Sequence, residues 1–407
     1  MLVFQRAFFI FTIQIKILLL LGFYGSFSAF RSQSFLPTLV PKQKKGFPLK
    51  SGCSFHLRNK LLPKIWRSTM NRKVLLIYTG GTIGMEKDYE TGSLVPFDFS
   101  TIFKRIPEMN LLECEVSVHP FENPVDSSDM GPQEWRMIAD WIYKNYDNFD
   151  GFLILHGTDT MSYTASALSF MLKNLGKPVI LTGSQLPIGD LRTDAKENLL
   201  TSLYYASLYE NDEAVIKEVA VYFEYKLLRG NRSLKYSAEF FDAYQSPNYP
   251  ILGQSGVHLN VDKNVLWKPK GQFELDNYLN ENILFCRIFP GMNFESLLEI
   301  KTAEAIILQV FGSGTIFNNE KTQNVLQELR NRGVEVVVIS QCISGGISFG
   351  KYSNSNIFTK IGAISGKDMT AESAITKAMH ILNNPKYDRS FSELFIENIS
   401  GEITEEF

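Results

Sequence analysis

A threonine and an aspartate stand side by side just after a short apolar run, and a hydroxyl next to a carboxylate can do chemistry. The run is residues 152–155 (FLIL), and Thr158 and Asp159 follow it after a His-Gly pair. In an open parallel α/β sheet such runs form buried strands, and the residues just past their carboxyl ends line the binding crevice. Thr158 and Asp159 are therefore candidate site residues, although either could instead cap a helix predicted over residues 162–175.

A second threonine lies in a comparable place earlier in the chain. Residues 73–78 (KVLLIY) predict a strand, and residues 79–84 (TGGTIG) form a glycine-rich turn that contains Thr82. The glycines allow positive φ angles and let a ligand approach the backbone closely. Residues 85–95 show no periodicity and predict a mobile loop or lid.

Two further loops add polar side chains that can share one crevice with these threonines. One carries Asp126, Ser127 and Ser128 in a turn-forming cluster, and the other is a polar connection that ends in Lys235. A threonine hydroxyl is an inert nucleophile until a neighbour takes its proton. A partly desolvated lysine can take that proton, and a nearby carboxylate would hold the ammonium that forms. The sequence thus contains a hydroxyl nucleophile, a base and a group that can orient the base.

The spacing of cysteines and histidines gives no support for a metal site. The chain has 4 Cys and 5 His, and all of them are widely separated. They form no CxxC pair, no disulfide framework and no pair at metal-ligand spacing. We therefore expect free thiols and no bound metal.

Charge divides the chain at about residue 70. Residues 1–70 contain 11 Lys and Arg and no Asp or Glu, which leaves 30 basic and 43 acidic residues in the remainder. An acidic body of this kind lacks the basic footprint of a nucleic-acid-binding protein. We expect neither a nucleic-acid partner nor a membrane partner for it.

The basic first part, residues 1–70, predicts an extension outside the fold. Residues 7–30 are strongly apolar and end in small residues, which suits a secretory signal, while the basic remainder would also suit a transit peptide. A membrane anchor is a further interpretation, and so is a spurious start upstream of Met70. The body is expected to be cytoplasmic, or secreted or periplasmic if residues 1–30 act as a signal.

Strands and helices alternate after this extension, which predicts two α/β domains. Strands are predicted at residues 73–78, 152–155, 177–182, 219–223, 285–289, 304–310 and 335–340, and helices at 132–146, 162–175, 194–209, 320–332 and 372–383. The alternation favours parallel sheets flanked by helices. We predict a larger, flavodoxin-like N-terminal domain over residues 71–265, a linker over 266–282 and a smaller C-terminal domain over 283–407.

Five motifs together resemble the asparaginase family, and most closely its type I, cytoplasmic-like branch. They occur in family order: residues 79–84 (TGGTIG), 126–130 (DSSDM), 156–161 (HGTDTM), 182–185 (TGSQ) and 229–235 (RGNRSLK). The resemblance implies hydrolysis of the side-chain amide of L-asparagine to L-aspartate and ammonia, without a metal or organic cofactor. It also implies a homodimer or homotetramer with sites near the contacts between subunits.

The same resemblance assigns roles to the candidate residues. Thr82 resembles the nucleophile that forms a β-acyl enzyme. Thr158, Asp159 and Lys235 resemble a second cluster, in which Lys235 relays a proton through Thr158. Asp159 would also pair with the substrate α-ammonium, and the loop of residues 126–128 would bind the α-carboxylate through hydroxyl and backbone donors.

The loop after the first motif departs from the family pattern. Family members commonly carry a tyrosine on the loop after the first motif, whereas here Tyr89 is out of step and Ser93 stands near the expected place. Tyr89 is therefore the candidate lid residue of this chain.

Other functions remain open from the sequence. A nucleotide-binding module could use residues 80–84 as a phosphate cradle, although neither a GxGxxG motif nor a Lys-Ser/Thr pair is present there. The chain could instead be the amidase component of a tRNA-dependent amidotransferase, which implies a tRNA-facing domain and a second protein component. The third alternative is a non-catalytic amino-acid-binding protein of the same fold.

Overall fold

The computed structural model of the protein describes most of the chain after the basic extension. The described residues are 72–87, 94–96, 101–350 and 355–405. The predicted extension over residues 1–70 and the candidate lid residue Tyr89 lie outside them. Among the described residues, no helix is long and apolar enough to cross a membrane.

The larger sheet has eight strands, numbered here in chain order. They are β1 (Arg72–Tyr78), β2 (Cys114–Pro120), β3 (Gly151–Leu155), β4 (Val179–Thr182), β5 (Val219–Phe223), β6 (Lys226–Arg229), β7 (Gly253–Gln254) and β8 (Asn260–Val261). Alternate residues of β1 enter two different apolar clusters, Leu75 and Ile77 in one and Val74 and Leu76 in the other. The sheet is therefore covered on both faces, as expected for runs that are apolar throughout.

The order of the parallel strands confirms the flavodoxin-like prediction. The sheet runs β8-β7-β6-β5-β4-β3-β1-β2, and the pairs from β2 to β5 are all parallel. The parallel strands thus lie in the order 2-1-3-4-5. The chain adds β2 on one side of β1 and then β3, β4 and β5 on the other side, so the strand order reverses between β1 and β3. Ligands of such sheets bind at this reversal, beyond the carboxyl ends of the strands. Thr82 follows β1 and Thr158 follows β3, so both threonines flank this position.

One edge of the sheet is antiparallel, which the sequence pattern does not predict. Strands β5 and β6 form a hairpin whose two turn residues, Glu224 and Tyr225, have φ angles of 42° and 67°. Two positive φ values are the mark of a type I′ turn, which usually contains Asn or Gly. Because neither residue type is present, the turn is not recognisable in the sequence, and β6 was not predicted as a strand.

Eight helices occur in the part of the chain that the structure describes. They are α1 (Ile102–Arg105), α2 (Pro132–Asn145), α3 (Met161–Met171), α4 (Ala195–Ala206), α5 (Glu320–Asn331), α6 (Asn356–Lys360), α7 (Ala371–Ile381) and α8 (Phe391–Ile396). Helix α3 is buried on almost every side, because it lies against the large sheet and also packs against α7.

Helix α3 differs from its prediction at both ends. It ends at Met171 because Leu172–Lys173 pairs with Glu274–Leu275, a short strand within the segment predicted as a linker. Its N-cap is Thr160, whose hydroxyl donates to the carbonyl of Ser127 instead of capping the helix. The capping interpretation of Thr158 and Asp159 was therefore wrong.

The smaller sheet confirms the predicted second α/β unit. Its four parallel strands, in spatial order, are β9 (Ile283–Arg287), β10 (Ala305–Val310), β11 (Glu335–Ser340) and β12 (Ile364–Ser365). Ile306 and Leu308 enter one apolar cluster and Ile307 enters another, which also contains residues of α7 and α8. Both faces of this sheet are thus covered as well.

A buried cluster of ionisable side chains connects the end of α3 with α7. Asp276, only 1% exposed, accepts a hydrogen bond from Lys173 Nζ at 2.8 Å and lies 3.5 Å from His380 Nε2 of α7. Lys386 Nζ is 3.7 Å from the same carboxylate, and the Tyr387 hydroxyl is 3.4 Å from His380 Nε2. Burial lowers the pKa of His380 to about 4, although Asp276 opposes the change. His380 is therefore neutral at physiological pH.

We predict that this histidine makes the fold less stable in acid. The unfolded chain takes up a proton on His380 below its ordinary pKa of about 6.5, whereas the folded protein does so only near pH 4. The free energy of unfolding should therefore fall by about 2–3 kcal/mol between pH 7 and 4.5 through this group alone. Urea unfolding of wild type and H380Q tests this, and a difference between them that does not narrow as pH falls would contradict it.

Candidate active site

Glycines allow three loops to touch at the carboxyl ends of β1 and β3. Gly81 has a φ of 86°, and a Cβ placed on it would lie 2.5 Å from Gly157 Cα. A Cβ on Gly157 would in turn lie 2.6 Å from Ser127 Cβ and Oγ. The loops of Thr82, Thr158 and Ser127 are thus in direct contact, and the two threonines each follow one of two touching glycines.

Backbone hydrogen bonds fix the same loops. Thr79 N donates to Leu155 O at 3.1 Å, and Val125 N donates to Thr79 O at 2.8 Å. His156 N donates to Thr182 O at 2.9 Å, which adds the loop after β4. Four of the five motif loops are therefore assembled by main-chain contacts.

Thr82 begins a single 3-10 turn, Thr82–Gly84, directly after the glycine pair. Its side chain is partly exposed, and no described residue hydrogen-bonds its hydroxyl. Thr82 is thus held on a tight turn just past the carboxyl end of β1, where ligands of such sheets bind.

Lys235 bonds to the second threonine, Thr158. Its Nζ donates to Thr158 Oγ1 at 2.8 Å and to Asp159 Oδ1 at 2.7 Å. The Thr158 hydroxyl donates in turn to Gln185 Oε1 at 3.3 Å. The lysine side chain is 17% exposed and that of Asp159 is 69% exposed. Thr158 is thus bonded to an ammonium on one side, and the carboxylate of the group faces the solvent.

Gln185 had no assigned role, although its motif was recognised. Its Nε2 donates to Ala238 O at 3.3 Å and to Phe240 O at 3.1 Å, both on the connection that follows Lys235. Its backbone N donates to Asp194 Oδ2 at 2.9 Å. Gln185 therefore ties the Thr158 hydroxyl to the neighbouring loop.

Tyr244 is a site residue that the sequence reasoning missed. Leu234–Lys235 pairs antiparallel with Tyr244–Gln245, and Lys235 stands opposite Tyr244. The buried Tyr244 hydroxyl donates to the carbonyl of Thr158. Burial, together with the carboxylates of Asp159 and Glu372, raises the pKa of Tyr244 well above its usual range, so the hydroxyl remains a donor. The pairing of these two short strands would have pointed to Tyr244, but neither strand forms a run that the sequence pattern predicts as a strand.

The predicted carboxylate-binding loop is shaped by its own aspartate. Asp126 Oδ1 accepts from both the backbone N and the hydroxyl of Ser128 at 2.8 Å. These backbone and side-chain bonds lower the pKa of Asp126, which is therefore ionised at neutral pH. Ser127 is buried against Gly157, whereas Ser128 is exposed. Asp126 thus maintains the turn that presents the two serines.

His156 supports the site without taking part in proton transfer. The ring is fully buried, and its Nδ1 donates to Gly157 O at 2.7 Å while Nε2 accepts from the Thr164 hydroxyl at 2.8 Å. Burial lowers its pKa to about 4, so it is neutral at physiological pH. It anchors the loop of Thr158 to α3.

The arrangement suits acid-base chemistry at a hydroxyl. A lysine within hydrogen-bond distance of a threonine can exchange a proton with it, and a carboxylate on the same amine stabilises the ammonium. A second threonine on a touching loop supplies a hydroxyl without a competing partner among the described residues. No group of three His, Cys, Asp or Glu arranged to hold a metal occurs in that part of the chain.

Family models match most of the chain. The model described as asparaginase, N-terminal, matches residues 73–267. The model described as glutaminase/asparaginase C-terminal domain matches residues 282–395. Between them, the two models include both sheets and the loops of the site.

Individual proteins agree with these matches. L-asparaginase 1 of Escherichia coli (strain K12) is 39% identical over 338 residues, which cover 82% of this chain and 98% of that protein. The crystal structure of L-asparaginase I from Vibrio cholerae is 38% identical with a TM-score of 0.73, and the match covers 82% of this chain and 99% of the other. A glutamyl-tRNA(Gln) amidotransferase component of Pyrococcus abyssi is 32% identical over 342 residues, which cover 82% of this chain and 77% of that protein. This chain therefore belongs to the asparaginase family.

Proposed function

We propose that the protein is an amidohydrolase that converts L-asparagine to L-aspartate and ammonia. The observation that carries the proposal is the contact of Lys235 Nζ with both Thr158 Oγ1 and Asp159 Oδ1, at 2.8 and 2.7 Å. The group lies beside the loop of Thr82. The chain also belongs to a family in which similar proteins are named L-asparaginase. No metal or organic cofactor is required for this chemistry.

The reaction proceeds in two steps through a covalent intermediate. The Thr82 oxygen attacks the side-chain amide carbon, its hydroxyl proton is passed to the amide nitrogen, and the C–N bond breaks so that ammonia leaves. We assign the first attack to Thr82 because, in the family resemblance, this residue corresponds to the nucleophile that forms the β-acyl enzyme, and its loop touches that of Thr158. Water then cleaves the ester as Lys235 moves a proton through Thr158, and Thr82 regains its hydrogen.

The rest of the substrate is bound by groups around these threonines. Asp159 pairs with the α-ammonium, which its solvent-facing carboxylate can reach. The turn of residues 126–128 binds the α-carboxylate with serine hydroxyl and backbone donors. Binding both α-groups fixes the reach to the amide, so the longer glutamine side chain misplaces its carbonyl.

The amidotransferase alternative is less favoured than the main proposal. The matching amidotransferase component from Pyrococcus abyssi extends beyond the aligned part, since the match covers 77% of it. Residues 71–407 also contain 30 basic and 43 acidic residues, and this acidic excess does not favour binding of tRNA. A non-catalytic binding protein would not need Lys235 within bonding distance of a threonine hydroxyl.

Two further proposals concern assembly and location. We propose a homodimer or homotetramer, from the family resemblance alone, and a cytoplasmic location for the body. Light scattering at the concentration of the activity assay tests the first proposal. An active monomer would exclude it. Cell fractionation tests the second, and recovery of the body outside the cytoplasm would contradict it.

The activity itself is tested by ammonia release from L-asparagine and L-glutamine, measured side by side. We expect clear turnover of asparagine and weak turnover of glutamine.

K235M and T82A should each lose activity by orders of magnitude, because each removes a group of the reaction. The matched control is K226M, since Lys226 is ion-paired with Asp242 outside the site. Equal kcat/KM for both amides would refute the stated preference, and a variant within a few-fold of K226M would refute the role of its residue.

The glycine contacts give an independent prediction. G157A places a Cβ against Ser127, so the loops of Thr158 and Ser127 must separate and kcat should fall by about 100-fold, the cost of a displacement near 1 Å. The control is G189A, because an added Cβ there has nothing within 4 Å. Equal kcat in the two variants would show that this contact does not position the site.

A further inference from the structure

The loop that leads to Lys235 is bound by a distant part of the chain. Three consecutive carbonyl oxygens of residues 400–402 accept hydrogen bonds from three side chains of that loop. Ser400 O accepts from Asn231 Nδ2 at 3.0 Å, Gly401 O accepts from Arg229 Nη1 at 3.2 Å, and Glu402 O accepts from Arg232 Nη1. Main-chain carbonyls thus form one continuous surface along the lysine loop.

A buried ion pair completes this contact. Arg232 Nη2 lies 2.6 Å from Asp368 Oδ2, and both side chains are 1% exposed. The Thr404 hydroxyl stands between the two groups, accepting from Arg232 Nη2 at 3.0 Å and donating to Asp368 Oδ2 at 2.5 Å. Thr404 N also donates to Asp368 Oδ1 at 3.1 Å. The Thr404 hydroxyl therefore joins a guanidinium and a carboxylate that also contact each other through two direct hydrogen bonds.

Residues 400–404 are themselves held in one conformation. Gly401 has a φ of 82°, and a Cβ on it would lie 2.8 Å from Arg229 Cζ, so this position needs glycine. The fully buried Glu402 carboxylate accepts from Ser400 N at 2.7 Å and pairs with Lys377 of α7. The segment is therefore an anchored surface and not a loose strand that adapts to the loop.

The main chain between Arg232 and Lys235 is held by several contacts. Arg232 ends the 3-10 turn Gly230–Arg232, and Ser233 is fully buried with its hydroxyl bonded to Gly230 O at 2.9 Å. The main chain then enters the short pairing with Tyr244. Arg232 and Lys235 are thus joined by a short segment whose main chain is held at both ends.

We propose that residues 400–404 are a positioning element for Lys235, with the Thr404 hydroxyl as its most specific contact. The proposal rests on the proposed role of Lys235 in amide hydrolysis. A purely structural role would change stability alone, whereas a positioning role changes the geometry of the amine in the folded protein.

The test uses three single substitutions in the full chain. T404V removes the hydroxyl and keeps the shape, and T404S restores the hydroxyl. T376V is the matched control, since Thr376 is fully buried in α7 and its hydroxyl bonds to the Glu372 and Ser373 carbonyls of the same helix. At a temperature where all variants are folded, kcat for asparagine should fall about fivefold or more in T404V with little change in KM, because misplaced groups slow the chemical step. T404S and T376V should keep kcat near that of wild type.

A second readout does not depend on activity. Amine labelling with a succinimidyl ester, followed by peptide mass analysis, reports how firmly Lys235 is held by Thr158 and Asp159. Lys226 serves as the internal reference. The labelling rate of Lys235 relative to Lys226 should rise in T404V and not in T404S or T376V. Equal relative labelling in T404V and T376V overturns the proposal, whereas a rise in T404V together with no ammonia release by wild type would overturn the proposed function and leave the positioning role standing.

Discussion

The structure depends on holding one ammonium group between a threonine hydroxyl and a carboxylate. Lys235 lies 76 residues after Asp159 in the chain, and Asp159 is largely exposed. Exposed ion pairs contribute little free energy by themselves, with a median near 0–1 kcal/mol. The contact therefore cannot hold itself in place, and the surrounding backbone must bring the two groups together. Glycines at the loop contacts, the Tyr244 hydroxyl and the buried Arg232 each restrict one part of that backbone.

The buried charges of the protein serve this geometry more than stability. A buried ion pair often adds little compared with well-packed apolar residues, but losing one partner is costly because a charge remains unpaired. Such pairs define a unique arrangement, and here they join parts of the chain that are far apart in sequence. Arg232 with Asp368 connects the lysine loop to the smaller α/β unit, and Lys377 with Glu402 holds residues 400–404 against α7. The second α/β unit thus supports a site whose named groups lie on the first.

The sequence predicted what depends on local pattern and missed what depends on distant contacts. Apolar runs such as β3 are buried on both faces, so their identity and their parallel pairing followed from composition. The five motifs pointed to the loops that meet at the reversal between β1 and β3. The turn at Glu224 has no typical residues, and helix α3 ends early because a partner strand arrives from about 100 residues away. Tyr244 escaped notice because its role is defined only by the residue that it faces.

We assign the acyl intermediate to Thr82, and the proton transfer to Lys235 and Thr158. The most direct measurement is rapid acid quenching of the protein during turnover of L-asparagine, followed by mass analysis of its peptides. We predict an aspartyl ester on the peptide that contains Thr82 and no ester on the peptide that contains Thr158. An ester on Thr158, or steady turnover with no ester on either peptide, would contradict this assignment.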